Sequence, residues 1–139
     1  MSIKSVQIPG KANPVRIAQN IDGSRFFTWG EALHELTRVP ENWRVTSQII
    51  KVANKLEFYR NFFDVPFVVQ SWYRTPEINA AVGGVPNSRH LLGDGVDWHP
   101  AGGDIEWQFD YLDMTWPGGL GFYGDWFHTD LGDYARWRG

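Results

Sequence analysis

The sequence has no cysteine. Disulfide bridges, thiolate metal sites and cysteine nucleophiles are therefore excluded. A zinc ion would have to be held by histidine and carboxylate side chains, the other ligands that this metal accepts in proteins. The search for a metal site thus narrows to the neighbourhood of four histidines: His34, His90, His99 and His128.

Long apolar runs are also missing. No segment approaches the ~20 consecutive apolar residues of a membrane-spanning helix. The first residues, MSIKSVQIPGKANPV, contain no apolar stretch of signal-peptide length. We therefore expect a protein with no membrane span and no signal peptide that is cytoplasmic at synthesis. Its 139 residues fit one domain, which we expect to be monomeric.

Positive charge is scarce, because the formal net charge is −3 and no long basic run occurs. A nucleic-acid binder needs a positive face for the phosphate backbone, so the charge argues against this class of partner. Aromatic residues are abundant, with eight Trp, nine Phe and five Tyr. This abundance predicts a tightly packed core, an adhesive cleft, or both.

The order of predicted elements indicates an α+β fold. Residues 1–25 contain scattered proline and glycine and are expected to form an irregular arm on the domain, which occupies 26–139. Thr28, with Glu31 three positions later, has capping-box spacing at the start of a helix, FTWGEALHEL. Further elements are predicted from apolar spacing and β-forming residues: helices at 46–63, 75–82 and 103–113, and strands at 66–72, 93–98, 120–123 and 126–131. This order predicts a central antiparallel sheet flanked by helices.

The stretch SRHLLGDGVD, residues 88–97, carries the strongest chemical signal. His90 and Asp97 lie seven positions apart with glycines between them. Glycine lets the chain fold back, so that the imidazole and the carboxylate can point at one spot. His128 lies in the predicted strand WFHTD and could supply a third ligand.

Spacing alone leaves alternatives open for every histidine. A His and an Asp at this separation often occur by chance. His34 is typical of a surface or cap residue in a helix. His99, which follows the predicted strand beside Pro100, is either a structural residue or a rival ligand to His90.

The motifs taken together are more specific than any one of them. They occur in the order SWYRTP at 71–76, SxHxxGxGxD at 88–97, GxGxY at 119–123 and HxD at 128–130. This pattern resembles the M15 metallopeptidases, the D-Ala-D-Ala carboxypeptidase group, over about residues 26–137; Gly95 stands where that family usually has Ala. The resemblance implies the fold of the zinc DD-peptidases and hedgehog-like domains. It also implies one zinc ion held by His90, Asp97 and His128.

The resemblance assigns further roles around the metal. Arg74 would stabilise an oxyanion or bind a substrate carboxylate, and Ser88 would contact the substrate. Asp125 lies three residues before His128, where many members have a Glu as general base, and Asp130 would orient a zinc ligand by a hydrogen bond. Each residue also has a plain structural interpretation: an ion pair for Arg74, a cap or turn for Ser88, a turn for Asp125 and the surface for Asp130.

The implied activity is zinc-dependent hydrolysis of D-Ala-containing peptide bonds in bacterial peptidoglycan, whose stem peptides would be the substrate. Terminal and cross-link cleavage both stay open. Without a leader, the chain is expected to be a phage-type lysin that reaches the cell wall after release, a virion-associated protein, or a cytoplasmic dipeptidase; we favour the lysin or a related phage protein. The alternative is a non-catalytic module, in which zinc is a structural clasp and the domain binds peptidoglycan or a virion partner.

Overall fold

The computed structural model describes residues 4–139 and shows an α+β domain. Within this range lie five helices: α1 Trp29–Ala32, α2 Trp43–Phe63, α3 Pro76–Ala81, α4 Arg89–Leu92 and α5 Ile105–Thr115. Seven strands accompany them: β1 Ser5–Val6, β2 Val15–Arg16, β3 Phe67–Ser71, β4 Val96–Pro100, β5 Gly119–Phe122, β6 Phe127–Thr129 and β7 Ala135–Arg138. None of these helices is long and apolar enough to cross a lipid bilayer.

The main sheet has the strand order β3-β4-β6-β5-β7. Its first three pairings are antiparallel, which confirms the predicted central sheet. The edge strand β7 was not predicted, and it pairs with β5 in parallel. The register places Asp97 of β4 and Gly121 of β5 on either side of His128 in β6.

One face of this sheet is covered by the apolar sides of α2 and α5. Trp98 and Phe127 point to that face and are fully buried, with ring centroids 5.1 Å apart. Because side chains alternate along a strand, the intervening Asp97 and His128 point to the opposite face. The packed core thus leaves the other side of β4 and β6 available for polar chemistry.

Three predicted elements have different bounds. The first helix ends at Ala32 rather than near residue 36, because His34, Glu35 and Leu36 have φ of 51°, 58° and 65°, which turns the chain and buries Leu36. Helix α2 starts a turn earlier than predicted, with Asn42 accepting hydrogen bonds from the backbone amides of residues 44 and 45. Strand β4 is displaced towards the C-terminus, which places His99 inside the strand and not after it.

The predicted N-terminal arm contains a short two-stranded sheet, because β1 pairs with β2 in antiparallel fashion. Ile8, Val15 and Ile21 of this segment are buried in the common core. Residues 1–3 of the arm lie outside the described residues. The boundary between residues 25 and 26 stays a prediction.

Candidate metal centre

His90 is positioned by a helix of a single turn. The Ser88 hydroxyl caps α4 by accepting a hydrogen bond from the His90 amide at 3.2 Å. Gly93 ends the helix with φ of +90°, a left-handed conformation that favours glycine. A Cβ at residue 95 would lie 2.8 Å from the His90 backbone nitrogen, so glycine permits the tight return of the chain. The predicted fold-back between His90 and Asp97 is therefore present.

His90, Asp97 and His128 converge on one point. Asp97 Oδ2 lies 3.2 Å from His90 Nε2, and Asp97 Oδ1 lies 2.8 Å from His128 Nδ1. One ligand atom from each residue lies within 4.8 Å of the other two. The structure thus brings together the three residues that the sequence predicted as ligands, in an arrangement that could hold a metal ion.

The second nitrogen of each imidazole is engaged outside this group. His90 Nδ1 donates to the Trp72 carbonyl oxygen at 2.7 Å, which leaves Nε2 for a metal. His128 Nε2 lies 2.9 Å from Asp130 Oδ2, which leaves Nδ1. Asp130 is itself held by the amides of Gly119 and Gly132. Imidazoles that bind zinc usually donate their other N–H to a carbonyl or a carboxylate, so these residues fit a zinc ion with a position left open.

The carboxylates and His128 perturb one another in the metal-free site. Burial alone would raise the pKa of Asp97, but hydrogen bonds from His128 and His90 outweigh it and lower the pKa to about 2. Burial alone would lower the pKa of His128, but its hydrogen bonds to Asp130 and Asp97 raise it to about 9. Burial alone would raise the pKa of Asp130, but the hydrogen bond with His128, its charge and the amides of Gly132 and Gly119 together lower it. His128 is therefore an imidazolium between two carboxylates near neutral pH.

Arg74 lies at the edge of the ligand group. Its Nη2 is 4.0 Å from Asp97 Oδ2, and its backbone amide donates to the His90 carbonyl oxygen at 3.1 Å. Both backbone groups of the preceding residue, Tyr73, are hydrogen-bonded. Its amide donates to the Ala32 carbonyl oxygen, and its carbonyl oxygen accepts from Arg38 Nη1 at 3.0 Å. The guanidinium is thus held beside the ligands, and its role towards substrate stays a prediction.

Ser88, Asp130 and Asp125, the other predicted site residues, lie at different distances from the ligand group. Ser88 has the capping role that was its structural alternative, and Asp130 bonds His128 as expected of an orienting carboxylate. Asp125 is exposed in the turn between β5 and β6, outside the group of three ligands. The roles of Ser88 in substrate contact and of Asp125 as a base stay predictions. His34 is exposed, and His99 is half-buried opposite Val68; both lie outside the ligand group.

An aromatic wall lies beside His128: Tyr123 and Trp126 are sequence candidates for a wall of the cleft, whereas Trp137 was missed. Trp137 of β7 lies with its ring centroid 5.5 Å from that of His128 and donates its indole N–H to the Tyr123 hydroxyl at 2.7 Å. Tyr123 stacks on Trp126 at 4.1 Å. Gly121 leaves room for this wall, because a Cβ there would lie 2.2 Å from Trp137 Nε1. The period-two alternation of ARWR at 135–138 was the available signal for β7.

Comparison with known proteins agrees with this geometry. No curated protein sequence matches the chain. The family model described as Peptidase M15 matches residues 27–130, which include the three candidate ligands, Arg74 and the whole of α2. The match spans most of the chain, which therefore belongs to the Peptidase M15 family of metallopeptidases.

Proposed function

We propose that this metallopeptidase uses one zinc ion to hydrolyse D-Ala-containing peptide bonds in the stem peptides of peptidoglycan. The observation that carries the proposal is the ligand group, in which His90 and His128 each present one nitrogen beside Asp97 and commit the other nitrogen to an acceptor. A structural clasp uses four protein ligands, whereas three ligands leave a position for catalysis.

The surrounding residues have the chemistry that such a hydrolysis needs. A zinc ion at this site would polarise the scissile carbonyl and make a water molecule more acidic. Arg74 would hold the substrate carboxylate or the developing oxyanion through its planar pair of N–H groups. Asp125 would accept the proton of the attacking water and pass it to the leaving amine. The aromatic wall of Tyr123, Trp126 and Trp137 would shield one side of the reacting group from water.

The biological setting belongs to the same proposal. We infer a phage-type lysin that acts on the wall after release, as a DD-carboxypeptidase or as an endopeptidase. The zinc-clasped binding module is the competing function, and the exposure of Asp125 in its turn is the observation that favours it.

Digestion of purified peptidoglycan tests the proposal. The zinc-loaded protein should release free D-Ala if it is a carboxypeptidase, or convert cross-linked muropeptides to monomers if it is an endopeptidase, as read by mass spectrometry. Chelation of zinc and the His128→Ala variant should each abolish the products. Wild-type protein that retains zinc and binds peptidoglycan but yields no product would instead identify the binding module.

A further inference from the structure

A groove of about 490 Å³ lies between the start of α2 and helix α4. Its lining combines polar side chains with one exposed indole and an apolar wall on the α4 side. The lining residues include Glu41, Trp43, Arg44, Gln48, Lys51 and Leu92. The charged side chains of the lining are one acid, Glu41, and two bases, Arg44 and Lys51, so charges of both signs are present.

Trp43 is the central feature of the groove. Its side chain is 58 % exposed, although burial of so large an apolar surface would be favourable. The Arg44 guanidinium lies over the indole, 4.9 Å from its ring centroid. Ser47 and Gln48, one turn further along α2, line the edge; the Gln48 Nε2 donates to Asp94 Oδ2 at 3.2 Å, which leaves its carbonyl oxygen as an acceptor beside the Ser47 hydroxyl. An exposed aromatic face with amide and hydroxyl groups at its rim matches a sugar ring, which has apolar C–H faces and polar edges.

The groove adjoins the metal centre through α4. Leu91 and Leu92, which line the groove, follow His90 directly. Gly93 then approaches α2 closely, because a Cβ there would lie 2.8 Å from the Val45 carbonyl oxygen. The helix α4 that carries the ligand His90 thus also supplies one wall of the groove.

We propose that this groove binds the glycan strand of peptidoglycan, a chain of N-acetylated sugars, while the attached stem peptide lies at the metal centre. The inference rests on the proposed function for its choice of sugar. The N-acetyl amides and hydroxyls are neutral hydrogen-bonding groups, which suits a rim that offers both the Ser47 hydroxyl and the Gln48 amide. Trp43 supplies the stacking face, and Gln48 supplies hydrogen bonds to the acetamido group.

The test compares two exposed tryptophans. Trp43→Ala removes the stacking face, whereas Trp107→Ala removes a tryptophan of similar exposure, 51 %, that stacks on Phe62 of α2 rather than lining the groove. Binding is measured by calorimetry with a soluble oligomer of N-acetylglucosamine, a neutral chain of N-acetylated sugars. We expect Trp43→Ala to weaken binding by about tenfold, Trp43→Phe to retain most of it, and Trp107→Ala to leave it unchanged.

Turnover gives a second readout. Trp43→Ala should raise KM for glycan-linked peptidoglycan and leave KM and kcat for a soluble, sugar-free stem peptide unchanged. His128→Ala, on β6 and outside the groove lining, should lose turnover but keep glycan binding. Glycan binding that depends on Trp43 in a chain without peptidase activity would retain the subsite and refute the proposed hydrolysis. Absence of glycan binding by the wild type, or equal losses in the two tryptophan variants, would overturn the subsite.

Discussion

At the scale of single residues, His128 links metal binding to proton release. In the metal-free protein, burial alone would lower the pKa of His128. The hydrogen bonds with Asp130 and Asp97 together outweigh burial and raise this pKa to about 9. Zinc requires the neutral imidazole. When a metal binds beside Asp97, it replaces the proton on His128 Nδ1, so the imidazolium must release that proton.

The prediction is that zinc uptake by the metal-free protein releases about one proton at pH 7.5 and progressively less as the pH rises through 9. Calorimetric titration in buffers of different ionisation enthalpy measures this number. Asp130→Asn removes one of the two carboxylates, which lowers the pKa of His128 and should reduce the release at pH 7.5. A binding enthalpy that is independent of the buffer at this pH would contradict the assignment.

Arg74 is predicted to act through the shape of its side chain as well as its charge. Arg74→Lys keeps a cation near Asp97 but loses the planar pair of donors. We expect hydrolysis of a D-Ala peptide to fall by about 100-fold with zinc content unchanged, as measured by turnover and elemental analysis. Arg25→Lys, at an exposed position of the arm, is the matched control and should keep full activity. Unchanged turnover in Arg74→Lys would reduce Arg74 to an ion-pair partner.

Asp125 is predicted to be the general base, a role that a catalytic domain needs and a zinc-clasped binding module does not. Asp125→Asn conserves shape but cannot accept a proton, so turnover should fall by ~100- to 10,000-fold while zinc content and folding persist. Asp125→Glu restores the longer side chain of many relatives and should retain activity. Asp110→Asn, an exposed carboxylate on α5, provides the control. If all three variants hydrolyse the peptide like the wild type, the base lies elsewhere.

At the scale of elements, the end of α2 shows a local conflict. Asp64 closes this helix with φ of 54°, a left-handed conformation that costs an L-residue more than glycine. Asp64→Gly should therefore raise the free energy of unfolding by about 0.5 kcal/mol, because relief of strain exceeds the added entropy of the unfolded chain. Asp110→Gly, inside α5, should lower it by about 0.5–1 kcal/mol. Chemical denaturation measures both changes, and a loss of stability in Asp64→Gly would contradict the argument.

Elements with strong periodicity were the ones that the sequence predicted well. Helix α2 repeats apolar residues at helical spacing over five turns, and Thr75-Pro76 marks the start of α3 as expected. Helix α4 has a single turn and no period to detect, although it carries His90. Strand β7 is a half-exposed edge strand of four residues, and the alternation of ARWR is too short to be decisive by itself. The left-handed turn after Ala32 contains no glycine, the residue that usually indicates such a turn in a sequence.

At the scale of the whole molecule, the site joins segments far apart in the sequence. The three ligands could be predicted from motif spacing and the family resemblance, because the ability to bind a metal depends on residue type. The hydrogen-bond acceptor for His90 Nδ1 is the backbone carbonyl of Trp72. Every residue has such a carbonyl, so the sequence could not predict which one accepts. The wall next to His128 depends on the parallel pairing of β7 with β5, which follows from the completed sheet.

Because the metal would link α4, β4 and β6, its removal should loosen the whole domain. A ligand present at 100 times its Kd stabilises the folded state by about 2.7 kcal/mol. For a chain of 139 residues this corresponds to a rise in Tm of about 9 °C, which chelation should reverse. His90→Ala should lose zinc by elemental analysis and show no chelator-dependent shift in Tm. His99→Ala, two residues beyond Asp97 on the same strand, should keep the zinc and the full shift. A His90→Ala variant with full zinc occupancy, or a His99→Ala variant without zinc, would show that the ligand set is wrong.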